Sequence, residues 1–276
     1  MEIGIVVKPG SLLALELAEK AIEILEKHGV KIRVEEKSAS GPLSTYPRFN
    51  LREEKPEYLV AVGGDGTLLR TALHVKEESA ILGVKAGKRG FLMEVDRFEI
   101  EERFKDFVEG RFKIVENSRL EVSVNGEKIA CVLNDSAVLS AAAKILRLGV
   151  LVNGEVTMRL DGDGVIIATS TGSTAHALSA GGPIIDPRLN VITLVPVNPI
   201  QLYLRPIVVP YGFQIDIHIN ELSNEAVLSL DGQIQNVVKP GSLITVLPCK
   251  WKLKMVKFKG TEGFYERVYS RILMYW

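Results

Sequence analysis

One stretch limits the fold more than any other: Leu59-Val60-Ala61-Val62-Gly63-Gly64-Asp65-Gly66-Thr67-Leu68-Leu69. The apolar run from Tyr58 to Val62 is long enough for a buried strand. Two glycines break it. An acid, a third glycine and a threonine follow, and then an apolar-periodic segment through Val75 that predicts a helix. A strand, glycine turn and helix in this order can cradle phosphate, because backbone N–H groups converge at the positive end of the helix. No Lys-Ser/Thr follows the last glycine, so this is not the Walker form. A dinucleotide fingerprint has glycine where Asp65 stands. A carboxylate facing an anion has two chemical uses: to hold a metal that bridges phosphates, or to take a proton from a hydroxyl attacking phosphorus. The structural alternative is a tight turn with Asp65 as a helix cap.

The flanking sequence places this turn in a doubly wound α/β unit. Ile3 to Val7 reads as a buried strand. Ser11 to His28 has helical apolar spacing and stops at Gly29, and Val30 to Val34 alternates as a strand. Ser38 to Glu54 reads as a loop, and Ile81 to Val84 as a further strand. Ligands of such sheets sit beyond the carboxyl ends of the strands, where Gly63 to Thr67 falls. A second glycine loop, Lys85 to Phe91, offers Lys88 and Arg89 to phosphates, or to solvent as a plain charged loop. Phe98 to Gly110 reads as an amphipathic helix.

Beyond Lys113 the texture changes to short strands. Asn125-Gly126 and Asn153-Gly154, each between alternating runs, are hairpin signals, so this half is expected to be all-β, a sandwich or closed sheet. One polar, small-residue stretch interrupts it: Asp161 to Gly164, then Thr169 to Pro183. Its hydroxyls Thr171, Ser173 and Thr174 suit a sugar-phosphate backbone. Ala175 to Ala180 reads as a short helix with His176 in its first turn. A pair of structural turns with a Ser/Thr cap is the other reading. The expected division is residues 1–97 with 251–276 as the α/β domain, and 98–250 as the β domain. The aromatic segment Lys252 to Trp276 should be buried rather than hang in water, since aromatic side chains bury large areas.

Composition excludes several classes. Lys plus Arg equal Asp plus Glu at 34 each, which gives no support for nucleic-acid or membrane-surface binding. The N-terminus lacks a signal-peptide pattern, and no apolar run is long enough to span a bilayer. Cys131 and Cys249 lie far apart without metal-ligand spacing. They read as small core residues in a reduced, cytoplasmic protein.

Together these pieces resemble the NAD kinase family over nearly the whole chain. Gly63-Gly64-Asp65-Gly66-Thr67 resembles its first signature, Asn134-Asp135 its Asn-Glu signature, and Asp161 to Pro183 its glycine and hydroxyl signature. Arg205-Pro206-Ile207-Val208 and Leu230-Asp231-Gly232-Gln233 resemble later segments. The first motif alone is shared with lipid kinases and, loosely, with phosphofructokinases; the set in this order is specific. Two positions depart from the family: His176 where it usually has Tyr, and Asp135 where it has Glu.

The resemblance implies transfer of a phosphoryl group from ATP or inorganic polyphosphate to the 2′-hydroxyl of the adenosine ribose of NAD, with Mg²⁺ or another divalent cation. It implies Asp65 as general base, and Gly64, Gly66 and Thr67 around phosphate. Arg70 and Lys144 would neutralise phosphate charge. Asn134 and Asp135 would hold the adenosine. Asp163, Thr171, Thr174, Ala175, His176, Ala177, Leu178 and Ser179 would line the rest of NAD, with Asp161 and Gln233 nearby. No metal ligand is assigned. A homodimer or homotetramer built through the β half is implied, and the edge of a Val- and Ile-rich sheet is consistent with it. A lipid or sugar kinase of the same superfamily, or an NAD-binding regulator without chemistry, are the alternatives.

Overall fold

The computed structural model describes all residues except 76–77, 88–89, 143 and 274–276. Lys88 and Arg89 therefore lie outside the described residues. The chain forms two compact units, Met1–Glu116 with Leu253–Trp276, and Asn117–Lys252.

The first unit is built on a seven-stranded sheet. Its strands are β1 (Glu2–Val7), β2 (Lys31–Glu35), β3 (Arg48–Phe49), β4 (Tyr58–Gly63), β5 (Ala80–Lys85) and β6 (Lys113–Asn117), with a C-terminal strand, Leu253–Lys257. The order across the sheet is β3-β2-β1-β4-β5, then the C-terminal strand, then β6. β1 runs parallel to both β2 and β4. Successive residues of β1 and β4 are buried, the continuous apolar run expected of a parallel sheet covered on both faces. Helix α1 (Leu12–Lys27) buries one stripe, Ala14, Leu17, Ala18, Ala21, Ile22 and Leu25. Ser11 caps it by accepting from the Ala14 N–H, and Gly29 follows its end at φ +72°.

After β1 the chain builds outward through β2 and β3, then returns to place β4 on the other side of β1. The crevice between β1 and β4 is thus the switch point of the sheet, where ligands bind in such folds. Helix α2 (Asp65–Ala72) starts there, and α3 (Ile100–Val108) follows β5. Phe104 and Phe107 of α3 join the same core as α1, and Phe107 stacks on Phe112 with centroids 5.1 Å apart. This packing keeps α3 and β6 in the first unit, so the division falls after Glu116 rather than at residue 97.

The C-terminal segment returns to this unit. Its strand pairs in parallel with β5. Glu94, buried just beyond β5, receives Lys257 Nζ at 2.7 Å, the Phe258 N–H at 3.0 Å, Thr261 Oγ1 at 2.7 Å and Arg267 Nη2 at 3.0 Å. Burial alone would raise its pKa, but the charge and hydrogen bond of Lys257, with those of Phe258 and Thr261, bring it down to about 2.

The second unit consists of two antiparallel six-stranded sheets. Its strands are β7 (Leu120–Val124), β8 (Glu127–Val132), β9 (Asp135–Ser140), β10 (Leu146–Val152), β11 (Glu155–Gly162), β12 (Gly164–Thr169), β13 (Val191–Val197), β14 (Ile207–Pro210), β15 (Ile215–Ile219), β16 (Ala226–Leu230), β17 (Ile234–Val238) and β18 (Leu243–Pro248). One sheet has the order β11-β10-β15-β18-β7-β8, the other β14-β13-β12-β9-β16-β17. Asn125 and Asn153 take φ of 50° and 48° ahead of their glycines, as two-residue hairpin turns require.

The two cysteines are not separate core residues. Cys131 and Cys249 form a disulfide across 118 residues of sequence. β7 lies between β8 and β18 and pairs Glu121 with both Cys131 and Leu247, so the register brings the two thiols together. Sequence spacing carries no trace of that register. The inference from unpaired cysteines to a reducing compartment loses its premise. Among the described residues, no helix is long and apolar enough to cross a membrane.

Candidate active site

The glycine turn adopts the strand, turn, helix geometry. Gly63 ends β4, Gly64 is the N-cap of α2, and Asp65 is its first residue. A Cβ on Gly63 would lie 2.3 Å from Thr67 Oγ1, so the close approach of strand and helix demands glycine there. Thr67 is buried against this turn. The Asp65 carboxylate, half-buried, accepts the Phe91 N–H at 2.8 Å and the Leu92 N–H at 3.0 Å. These two donors fix both carboxylate oxygens relative to the loop after β5. Each oxygen keeps a lone pair. Arg271 lies close enough to feel the Asp65 charge, and its guanidinium contacts the Gly90 carbonyl.

Arg70 points elsewhere. Five residues along an α-helix is about 140° of rotation away from Asp65. Its guanidinium grips Glu35 with two hydrogen bonds, 2.6 and 3.0 Å. Glu35 is almost fully buried; burial opposes its ionisation, but Arg70 and Ser38 hold its pKa below the ordinary carboxylate value. Arg70 thus has a structural counter-ion in place of the phosphate assigned to it from sequence.

In the second unit, one end of the β14-β13-β12-β9-β16-β17 sheet collects polar residues from three elements. β9 opens with Asp135, β12 ends at Thr169, and β16 leads into an Asp231-Gly232 turn. Ala168 pairs with Asp135, and Leu230 with Ser136, so the three meet by register. Thr169 Oγ1 donates to the Leu133 carbonyl and accepts the Gly172 N–H. A Cβ on Gly172 would sit 2.1 Å from the Asn134 carbonyl oxygen, so only glycine lets residues 169–176 lie against Asn134. Thr171, Thr174, Ala175 and Leu178 are partly exposed at this end, and His176 and Ser179 are exposed on the short helix α4 (His176–Ser179). Burial lowers the His176 pKa, which favours the neutral ring. Ala177 is fully buried in a cluster with Ala137, Ile166, Ala168 and Val195, so its methyl is part of the core.

Asp231 was not assigned from sequence, although it lies in a segment that resembles the family. Its carboxylate accepts the N–H groups of Leu133 (2.7 Å), Asn134 (2.7 Å) and Asp135 (3.0 Å), and so shapes the Asn134-Asp135 turn. Burial raises its pKa, against those three bonds and the charge of Arg119. Arg119 is itself buried, and desolvation lowers it to about 10, still a cation at neutral pH. Nothing in the local sequence around Arg119 signals this role. Asp135 is 4 % exposed, and desolvation, then the charge of Asp231, push its pKa up to about 7. Asn134 Oδ1 is buried without a hydrogen-bond partner among the described residues, an acceptor available to a ligand donor. Gln233 is exposed beside this turn, its Nε2 donating to the Asp231 carbonyl.

Two assigned residues, Asp163 and Lys144, stand at the other end of the same sheet, and a third, Asp161, lies near the end of β11 in the other sheet. Asp163 precedes β12, accepts from Asn198 Nδ2, and lies beside Ser140 at the far end of β9. Asp161 is bonded to Gln201, and Lys144 is exposed in the turn after β9. Six strand residues separate Asp163 from Ser170, roughly 20 Å. Within one chain the structure therefore does not bring Asp161, Asp163 or Lys144 together with Asn134 and His176. The strand that the Val165 to Ala168 run predicts, β12, holds Asp163 and His176 at opposite ends.

The fold and these groupings define a class: a two-part chain with a strand, glycine turn and helix on a parallel sheet and a polar end on an antiparallel one. Comparison with known proteins narrows it. Residues 3–112 match the ATP-NAD kinase N-terminal domain, and residues 133–258 the ATP-NAD kinase C-terminal domain. An NAD kinase of Aeropyrum pernix is 44% identical over 276 residues, 99% of each chain. One of Thermococcus kodakarensis is 37% identical, covering 94% of each. Among solved structures, a yeast NADH kinase complexed with NADH superposes with TM-score 0.89 at 26% identity, over 100% of this chain and 88% of that one. An NAD kinase from Archaeoglobus fulgidus in complex with ATP gives TM-score 0.78 at 28% identity, over 98% and 99%. The chain belongs to the NAD kinase family and is an NAD kinase enzyme.

Proposed function

We propose that the chain transfers the terminal phosphoryl group of ATP to the 2′-hydroxyl of the adenosine ribose of NAD, with Asp65 as general base. The hydroxyl oxygen forms the new bond to phosphorus, its proton passes to the Asp65 carboxylate, and the bond to the ADP oxygen breaks. The observation that carries this reading is the Asp65 carboxylate itself. It stands at the first position of a helix beside the glycine turn, held by two backbone N–H groups yet not fully buried. A carboxylate used only as a cap would turn back onto its own helix N–H groups; this one is aimed at the loop after β5.

Asn134 Oδ1 suits an adenine amino donor, and Asp135, its pKa pushed up to about 7 by burial and the charge of Asp231, suits a ribose hydroxyl. Mg²⁺ fits the first unit on chemical grounds: it prefers one or two carboxylates and takes its remaining oxygens from phosphates and water. Asp65 is the carboxylate at the turn, and the Thr67 hydroxyl lies beside it. When bound, the ion would offset charge on the donor phosphates. Inorganic polyphosphate is the second donor in this reading. Asp161, Asp163 and Lys144 can meet the nucleotide only from a second copy of the chain, which supports a homo-oligomer. A monomer at assay concentration in analytical ultracentrifugation would remove those three residues from the site.

The test of the reaction is to incubate the protein with NAD and Mg²⁺ and with ATP or polyphosphate, and to read NADP with an NADP-specific dehydrogenase. NADP formed with ATP supports the donor; formation with polyphosphate alone would reassign it.

A further inference from the structure

Beyond the glycine turn, the first unit carries a second cavity at the carboxyl ends of β2 and β3. It encloses about 220 Å³ and is lined by Glu35, Glu36, Lys37, Arg52, Arg70 and His74. The volume admits a small polyatomic ion with several waters, at ~30 Å³ of liquid per water.

The charges around it do not cancel. Glu35 is taken up by the two bonds from Arg70 and one from Ser38 Oγ. Among the described residues, the Lys37 ammonium, the Arg52 guanidinium and the His74 imidazole make no hydrogen bond or ion pair with protein. Arg52 engages Asn50 through its backbone N–H alone. Exposed Glu36 is the remaining acid on the rim. Three residues with cationic or donor side chains, of which Lys37 also borders a neighbouring cavity with Lys8, Ser11 and Ser40, thus line one space, with an arginine already paired behind them. Their mutual repulsion is felt at His74. Burial lowers its pKa first, then the charges of Arg52, Arg70 and Lys37, against Glu35 alone.

The cavity is separate from the site of Asp65. His74 lies nine residues beyond Asp65 along α2 and its continuation, roughly 13 Å of helix. The Glu35 to Lys37 and Asn50 to Arg52 sides of the cavity follow the carboxyl ends of β2 and β3, and ligands of such folds collect beyond the carboxyl ends of strands. With Glu35 already paired to Arg70 and Ser38, the unpaired donors of the lining outnumber its one free carboxylate, Glu36; such an excess matches the recognition of phosphate, which offers several acceptor oxygens and up to two negative charges.

We propose that this cavity is a second anion site, which takes one phosphate group on Lys37, Arg52 and His74. The group is either free orthophosphate or the phosphate of a nucleotide. The proposal does not rest on the reading of Asp65.

The experiment uses the full chain. Its four histidines are followed by imidazole NMR, with His74→Gln identifying the His74 signal. Potassium phosphate is titrated against potassium chloride at matched ionic strength, since screening alone also weakens the repulsion. The expected result is that phosphate, and not chloride, moves the His74 titration midpoint to higher pH. Arg52→Gln weakens phosphate binding about tenfold and leaves NADP formation unchanged, while Arg52→Lys keeps part of the binding. A parallel titration with ADP identifies the source. If ADP moves His74 at lower concentration than orthophosphate, the group belongs to a nucleotide; if orthophosphate is as effective, it is the free ion. A His74 signal that responds equally to chloride, or phosphate binding unchanged in Arg52→Gln, overturns the proposal.

Discussion

Both units organise their polar ends around a carboxylate that accepts backbone N–H groups, but the two carboxylates differ in access. Asp65 takes two N–H groups from a loop after β5 and remains half-exposed. Asp231 takes three from Leu133, Asn134 and Asp135 and is 5 % exposed over a buried Arg119. The first is positioned and can still meet a reacting group. The second is enclosed, and its work is to shape the turn that presents Asn134 and Asp135. A fixed acid is therefore not enough to mark a reacting one; what separates the two is whether a lone pair remains on the solvent side.

The largest effect should follow from breaking the exposed acid. Asp65→Asn should lower kcat by roughly 10²–10⁴, the usual worth of a general base, with little change in KM for NAD. The structure adds a stability cost. An amide cannot accept from both Phe91 and Leu92, so one N–H faces the new NH₂ group, at about 1–3 kcal/mol. Melting temperature and kcat measured together separate the two effects; normal turnover in a destabilised variant would make Asp65 an anchor like Asp231.

The enclosed end should fail through stability instead. Cys249 donates its N–H to the Arg119 carbonyl, and Arg119 Nη2 donates to the Cys131 carbonyl at 2.6 Å, so the disulfide flanks the cation beneath Asp231. Replacing both cysteines by serine should cost about 2–5 kcal/mol in denaturant unfolding. KM for NAD should rise more than kcat falls. An unchanged unfolding midpoint would detach the disulfide from this region.

Acid should separate the units next. The folded Glu94 pKa of about 2 lies below the 4.5 of an ordinary glutamate. Its contribution is present above about pH 4.5 and is lost as pH falls toward 2, about 3 kcal/mol in all. Glu94→Gln should remove that part of the pH dependence, as an acid titration followed by circular dichroism would show. An identical acid profile would mean that Glu94 is not what ties the C-terminal segment to the first unit.

The smallest effect concerns ligand contact at the exposed rim of the second unit. His176→Ala should raise KM for NAD about tenfold, the loss of roughly 1–3 kcal/mol of stacking, and His176→Tyr should retain or improve binding. Steady-state kinetics giving equal KM for all three proteins would place His176 outside the site.

Much of this architecture was legible along the chain because it is local. Apolar runs bounded by glycines mark β1, β4 and β5, and Asn-Gly pairs mark two hairpins of the β half. Ser11 and Gly29 bracket α1. The short strands β6, β14 and β17 are edge strands with at most one fully buried residue each; Ile207 to Val209 and Ile234, Val237 and Val238 are apolar, but no regular alternation of buried and exposed residues marks these segments. The phosphate turn was legible for the same local reason, since its glycines and its acid are consecutive.

What the amino-acid sequence determined by itself is therefore the kind of elements, their order, and the set of motifs that marks an NAD kinase. Tertiary structure alone decided which side chains meet. It joined Cys131 to Cys249, gave Arg70 to Glu35, and set Asp231 beneath Asn134 and Asp135. The reason is physical. Element type follows from periodicity over a few residues, whereas a side chain's partner follows from strand order and register, which depend on contacts between segments far apart in the chain.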